Sequence, residues 1–218
     1  VSGPLSASAA SLAVTGDLAL VGTITMPGTL TLSATGTITQ GGGSIAAGTL
    51  TGTAATGTLT GAANAVDTLG AFTTAGTFAL TDARPLTVSG PVSASSANLV
   101  VAGGLTLSGP VTTSGTLSLS ATGAITQPGG AATAGTLTGS AASASLGRGN
   151  AITTLGQFTT TGGFALTDGQ SLAVSGPLSA ASASLTAVGD ISLAGTITTP
   201  GALTLSSTGA IVQPLQTT

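Results

Sequence analysis

The sequence predicts an all-β protein that coils as a parallel β-helix, and a long internal repeat is the first sign of it. The motif VSGP occurs at Val1, Val88 and Val174, and most of segment 64–91 recurs at 150–177. We therefore expect three copies, residues 1–87, 88–173 and a partial copy 174–218, in one continuous solenoid. Tandem arrays of this kind fold by contacts between neighbouring units.

Within each copy the chain divides into short alternating runs, which is the second sign. Leu105 and Leu107 alternate with Thr106 and Ser108, and a glycine follows. Alternation with a period of two places the aliphatic residues on one face of a strand and Ser or Thr on the other. Glycine closes such runs because it accepts backbone conformations that other residues avoid.

The lengths of these runs favour coiling, which is the third sign. Runs of about four residues are too short for stable isolated hairpins. Twelve runs between Pro91 and Gly176 give about four rungs per 86–87-residue repeat, with lengths of 19, 21, 26 and 20 residues. Gly, Thr, Ser and Val dominate, so a helical fold is disfavoured. We expect roughly ten rungs, or about 50 Å of rod.

The composition excludes several classes of function. The 218 residues include 35 Gly, 2 basic and 5 acidic residues, and no Cys, His or Trp. Nucleic-acid binding needs clustered Lys and Arg, so we expect no nucleic-acid partner. No apolar run approaches the roughly 18 residues of a membrane helix, so we expect no membrane span. An apolar content of 41% indicates an ordered chain with surface to bury.

No residue is predicted to be catalytic, to bind a cofactor or to hold a metal, and we expect no enzyme. Ser and Thr are abundant, but no His, Lys or Glu is present to activate them. Asp82 and Asp168 end two equivalent FALTD strands, and four rungs would separate them by roughly 19 Å, too far for a glycosidase pair. We expect each to accept a backbone hydrogen bond in a turn.

The other charged residues are interpreted in the same way. Asp17 and Asp190 are equivalent, and Gly104 holds their place in the middle copy, so a turn is favoured over calcium. Arg84 and Arg148 have no charged counterparts and are expected to serve solubility or lateral packing.

Three further sets of residues carry predictions about packing and surface. Asn64, Asn98 and Asn150 are expected to close turns, with stacked amide ladders as the alternative. The four phenylalanines, Phe72, Phe78, Phe158 and Phe164, are expected to mark one wide point per copy. The Thr pairs at 23–25 and 29–31 suggest a face that would bind ice or polysaccharide, although we expect Ser and Ala to interrupt the Thr columns.

The repeats LTLSATGAITQ and NAITTLGQFTTTGGFALTDGQSLAVSGP resemble the stalks of filamentous-haemagglutinin-like adhesins and other giant repeat proteins of Gram-negative bacterial surfaces. The resemblance implies a right-handed parallel β-helix that is exported and serves as a rigid shaft in attachment, aggregation or biofilm. Since the sequence begins and ends inside a repeat, we expect a segment of a longer protein or of a filament.

The function expected from the sequence is therefore a structural extracellular filament or adhesin stalk of a bacterial surface or biofilm matrix. The alternative is a binding module that uses Ser/Thr faces for polysaccharide or ice. Expected partners are other copies of the chain, end to end or side by side, with polysaccharide or neighbouring cells as further candidates. With so few ionisable groups, stability is expected to vary little between about pH 3 and 9.

Overall fold

A computed structural model describes residues 1–214 and confirms the all-β parallel solenoid, with about ten turns. All 26 strands belong to one sheet, and every pairing between them is parallel. The strands of the first part of the chain are β1 (Leu5–Ser6), β2 (Ala10–Val14), β3 (Leu18–Leu20), β4 (Ile24–Ala34), β5 (Thr37–Gln40), β6 (Ile45–Ala54), β7 (Thr56–Leu59), β8 (Ala65–Thr74), β9 (Thr77–Asp82), β10 (Leu86–Val88), β11 (Val92–Ala94), β12 (Ser96–Val101) and β13 (Leu105–Leu107).

The remaining strands continue the same coil. They are β14 (Val111–Thr113), β15 (Thr116–Ala121), β16 (Ala124–Thr126), β17 (Ala132–Ala141), β18 (Ser143–Thr160), β19 (Gly163–Asp168), β20 (Leu172–Val174), β21 (Leu178–Ser179), β22 (Ser182–Ala187), β23 (Ile191–Leu193), β24 (Ile197–Thr198), β25 (Leu203–Ser207) and β26 (Ile211–Val212).

Each turn of the coil has three sides, and each strand pairs with the strand one turn further along. In one turn, β13, β14 and β15 form the three sides, and they pair with β16 and with the two halves of β17. Paired residues lie 18 to 21 positions apart, as in Thr133 with Ala151 and Ile24 with Ile45. The predicted rung of 26 residues is therefore wrong, because the stretch assigned to it runs beyond one full turn.

The core is a single column of aliphatic side chains along the axis. Strand residues alternate between buried and exposed, as in β15, where Leu117 and Leu119 are fully buried. Like residues stack on successive turns, for example Leu80 on Leu59 and Leu99 on Leu80. This packing follows from the period-two pattern, because every inward position meets the inward position of the next turn.

The phenylalanines fit this core because glycine or alanine lies beside them on the neighbouring turns. Phe72 and Phe78 pack together with ring centroids 4.4 Å apart, and Phe158 and Phe164 with centroids 4.8 Å apart. The residue paired with Phe72 one turn earlier is Gly52. Gly57 pairs with Phe78 and Gly139 with Phe158 in the same way. Phe164 instead lies between Ala144 and Ala183, so its space comes from short side chains on both neighbouring turns.

Successive copies of the sequence repeat are rotated about the axis by one of the three sides of the coil. Leu30 and Leu117 are equivalent in sequence, but four steps back along the ladder from Leu117 lead to Ile38, in β5, one strand beyond Leu30. Four steps back from Leu203 likewise lead to Ile125, in β16, one strand beyond Leu117.

Each copy therefore makes about four and one-third turns, rises about 21 Å along the axis and rotates by one side. The equivalent strands of the three copies lie on three different sides of the rod. This refines the expectation of about four rungs per copy. The exact repeat of the structure would need three copies and about 62 Å.

Candidate functional site

The most elaborate arrangement of polar side chains is a buried cluster that occurs once in each complete copy. In the first copy it consists of Gln40, Asn64 and Asp82, and in the second of Gln127, Asn150 and Asp168. Asn64, Asn150 and Asp168 are fully buried, Asp82 is 1% exposed and Gln127 is 7% exposed. Within each cluster the three residues come from successive turns at one corner of the coil.

Asn150 is at the centre of the second cluster. Its Oδ1 accepts hydrogen bonds from the Ala132 amide at 2.8 Å and from Gln127 Nε2 at 2.7 Å. Its Nδ2 donates to the carbonyls of Leu146 and Thr167, both at 3.0 Å, and to Gln127 Oε1 at 3.2 Å. The side chain thus bridges successive turns of the coil.

Asn64 makes the equivalent set of contacts in the first copy. Its Oδ1 accepts from the Ile45 amide and from Gln40 Nε2, and its Nδ2 donates to Gln40 Oε1 and to the carbonyls of Leu59 and Thr81. Both asparagines therefore close turns, whereas Asn98 lies exposed between Ala79 and Ser118 and stacks on no other asparagine.

The glutamines were not singled out by sequence reasoning, although each ends a repeated ITQ motif. Gln127 Nε2 also donates to the Gly130 carbonyl at 2.8 Å, and the Arg148 amide donates to Gln127 Oε1 at 3.2 Å. Gly130 has a φ of 43°, a conformation that favours glycine, and its equivalent Gly43 has a φ of 60°. The sequence signal was therefore Gln followed three residues later by Gly.

The two buried aspartates accept backbone hydrogen bonds, as the sequence predicts. Asp168 Oδ2 accepts from the Ile152 amide at 2.8 Å and Oδ1 from the Gln170 amide at 3.0 Å. Asp82 does the same with the amides of Val66 at 2.7 Å and Arg84 at 2.8 Å. Because one copy separates them, they lie about 21 Å apart along the axis and on different sides of the rod.

Burial dominates the electrostatics of both carboxyls. Burial raises the pKa of Asp168 to about 6, against two backbone hydrogen bonds that lower it. The pKa of Asp82 is also raised by burial, while the Val66 and Arg84 amides and the Arg84 charge lower it. These clusters hold turns together, and each contains only one ionisable group, so neither forms an acid–base pair.

The remaining charged side chains lie on the surface. Asp17 Oδ1 accepts from the Thr37 amide at 2.7 Å and from its hydroxyl at 3.0 Å, which lowers the pKa of Asp17. Asp190 Oδ1 accepts from the Ala210 amide at 2.7 Å. Among residues 1–214 no group of three or more His, Cys, Asp or Glu side chains could hold a metal ion.

The two arginines have different surroundings. Arg84 lies 3.4 Å from Asp67 in an ion pair in which both side chains are more than half exposed. Arg148 donates through its guanidinium to the Pro128 carbonyl. An exposed ion pair such as that of Arg84 with Asp67 contributes little to stability.

The outer surface carries one unbroken column of threonines. Thr29, Thr49, Thr68, Thr87, Thr106 and Thr126 pair on successive turns. Ser and Ala do interrupt other columns, where Thr73 pairs with Ser93 and Thr133 with Ala151. This column continues over six turns until Thr126 pairs with Ser145. Beside it, Thr31 and Thr51 pair with Oγ1 atoms 3.0 Å apart, but Thr25 pairs with Ala46.

Comparison with known proteins extends over part of the chain. Residues 7–68 match a family described as repeats of unknown function (DUF5649). No curated protein and no solved structure matches the chain. The chain is a repeat protein. The matched segment spans about three turns, so the similarity concerns the coil and not one complete copy.

The described residues contain no helix, so none is long and apolar enough to cross a membrane.

Proposed function

We propose that this protein is a structural element of an extracellular filament or an adhesin stalk, at the surface of a bacterium or in a biofilm matrix. The observation that carries the proposal is the single parallel sheet, whose ladders run along the rod from β1 to β26. Backbone hydrogen bonds aligned with the axis resist extension. A rod that holds a binding domain away from a cell needs this property.

The polar groups support the same role. No buried side-chain nitrogen or oxygen of residues 1–214 lacks a hydrogen-bond partner. The two Gln–Asn–Asp clusters link successive turns by hydrogen bonds. These bonds hold the turns in place, since a buried asparagine that lost its partners would be unfavourable. Their role in a rod is mechanical and not catalytic.

We further propose that the partners of this chain include other copies of itself, end to end or side by side. The strands pair in one continuous parallel ladder along the axis. A ladder of this kind is a template on which a strand of another copy can pair. The low charge of the rods, −3 per 218 residues, opposes lateral approach only weakly.

Immunogold labelling of intact cells that produce the protein tests the proposed location and role. Antibodies raised against residues 1–214 should label filaments outside the cells, and disrupting the cells should not increase the labelling. Labelling that appears only after disruption would contradict the proposal.

A second candidate function is binding of ice or a polysaccharide through the threonine column. The column supports it because six hydroxyls recur at about 4.8 Å along one line. Thermal hysteresis or a cellulose pull-down tests it. Replacing Thr68, Thr87 and Thr106 by Val should abolish either activity, and equal activity in the variant would exclude the column as the site.

A further inference from the structure

A shallow groove recurs on the outer surface at equivalent positions of two copies. In the first instance Thr77, Ser96 and Thr116 line one side, and Ala79, Asn98 and Ser118 form the floor, with Phe78 and Ala97 beneath. The outward residues come from β9, β12 and β15, which pair on successive turns. The groove therefore runs parallel to the rod axis.

The second instance lies 86 residues further along the chain. Gly163, Ser182 and Ala202 line the side, and Ala165, Ser184 and Thr204 form the floor, with Phe164 and Ala183 beneath. Every position of the first groove has its equivalent in the second. Short side chains at all these outward positions create the depression, and a single Arg or Met there would fill it.

Beside the first groove, at the other end of the same strands, lies an exposed ridge. Ala83, Ala102 and Thr122 follow β9, β12 and β15, one residue per turn, and all three are exposed. Backbone bonds fix this corner, with the Ala102 amide donating to the Asp82 carbonyl and the Thr122 amide to the Val101 carbonyl, at 2.8 and 3.0 Å. Ridge and groove both repeat at about 4.8 Å along the axis.

We propose that the groove is a docking surface for a second copy of this chain, whose ridge lies in it with the two rods parallel. This inference deepens the filament role and rests on that proposed function. A second β-solenoid is the favoured occupant because its ridge has the same axial spacing as the groove, so that contacts repeat in register on every turn.

The chemistry of the groove supports this occupant. None of the described residues that line the two grooves is ionisable. A neutral ridge of Ala and Thr can therefore enter without burying a charge. All four phenylalanines are buried and the chain has no Trp or Tyr, so the groove offers no exposed aromatic ring for a sugar to stack on.

The rotation between copies determines the form of the assembly. One groove spans three or four turns and would bury far less than the roughly 1,200 Å² of a stable pairwise interface. Because the second groove faces a different side of the rod, it contacts a different neighbour. The rods should therefore form bundles whose stability accumulates over many grooves, instead of discrete dimers.

Charge placed in both grooves tests the proposal. The double variant Asn98→Glu, Ser184→Glu should raise the concentration at which rods bundle by at least about tenfold, because a buried unpaired charge is unfavourable. The matched control is Ser93→Glu, Ser179→Glu, at equivalent exposed strand positions outside the grooves. It adds the same charge and should bundle nearly as the unaltered chain does, by light scattering and electron microscopy.

Cross-linking tests the geometry separately. The chain has no cysteine, so a mixture of Asn98→Cys and Ala102→Cys chains should form mixed disulfide dimers under oxidising conditions. Ser93→Cys mixed with Ala102→Cys should form far fewer.

Equal bundling by the groove variant and its control, or an unaltered chain that stays as single rods, would overturn the groove proposal. The extracellular filament role would then still depend on the immunogold result. Cello-oligosaccharide binding by calorimetry that is lost only in the groove variant would instead assign the groove to a glycan, and would also overturn the proposal.

Discussion

Single buried side chains control the stability of this rod despite its uniform composition. Asp168 and Asp82 are buried carboxyls with raised pKa values, and they contradict the expectation that stability hardly varies with pH. The number of ionisable groups was read correctly from the sequence. Their burial was not, because an aspartate after a strand looks the same whether its turn is exposed or covered by the next rung.

The pH dependence follows from the direction of these shifts. Asp168 has a pKa of about 6 in the folded state and 3.8 in an ordinary setting. Below about pH 3.8 both states are protonated and the stabilisation is complete. As the pH rises through 6 the folded state must ionise a buried carboxyl, and about 3 kcal/mol of unfolding free energy is lost.

Urea unfolding between pH 3 and pH 8 measures this loss. Asp168→Asn should reduce the decline, leaving the smaller part that Asp82 contributes. A decline of the same size in the Asp168→Asn variant would contradict the assignment.

The central asparagines should contribute more than any other polar residue. Asn150→Ala removes a side chain that makes five hydrogen bonds, so the Ala132 amide loses its acceptor and Gln127 loses two of its bonds. We expect a loss of about 2–4 kcal/mol in unfolding free energy. Asn98→Ala, at an exposed position, should change it by less than about 0.5 kcal/mol. Similar effects for the two variants in denaturant titrations would show that the cluster does not hold the turns together.

At the scale of single elements, the packing of a strand depends on the residue one turn away. Gly139 pairs with Phe158, and a Cβ at Gly139 would clash with the Leu119 carbonyl oxygen and lie 2.9 Å from Phe158 Cε2. The equivalent Gly52 stands in the same relation to Phe72. These are the places where the core accepts an aromatic ring.

Gly139→Ala should therefore destabilise the rod by about 1–3 kcal/mol through overpacking. Gly147→Ala is the control, since nothing lies within 4 Å of a Cβ built there. The midpoints of thermal unfolding for the two variants measure the difference. An unchanged midpoint in Gly139→Ala would mean that the Leu119 backbone and Phe158 can both move aside without cost.

The sequence predicted the elements well and their partners less well. Alternation in LTL or FALTD determines which side chains point inward, and Gly or Pro marks the corners. The lengths of the turns were harder to predict. β18 bends at Gly147 and Gly149 but also near Thr153, where no glycine or proline marks the corner. The Gln–Asn–Asp clusters join residues 16 to 24 positions apart, and no local pattern identifies such contacts.

At the scale of the whole molecule, the copies do not stack directly above one another. The 86-residue repeat suggested four rungs and an axial period of about 19 Å. Because the turns contain 18 to 21 residues, one copy of the repeat makes four full turns and then one further strand. Any surface feature encoded once per copy, such as the groove at Asn98 and Ser184, is therefore presented to a new side each time.

Distances between spin labels on paired cysteines test this rotation most directly, since the chain has no native cysteine. Thr25 and Thr112 are equivalent exposed residues of successive copies, whereas Ser33 reaches Thr112 by four steps of one ladder, through Thr53, Thr73 and Ser93. The Ser33–Thr112 separation should be about 19 Å. The Thr25–Thr112 separation should be clearly longer, because it adds the displacement from one side of the rod to the next to a rise of about 21 Å. A Thr25–Thr112 separation of about 19 Å, with Ser33–Thr112 the longer of the two, would show that the copies stack without rotation and would contradict the fold described for this protein.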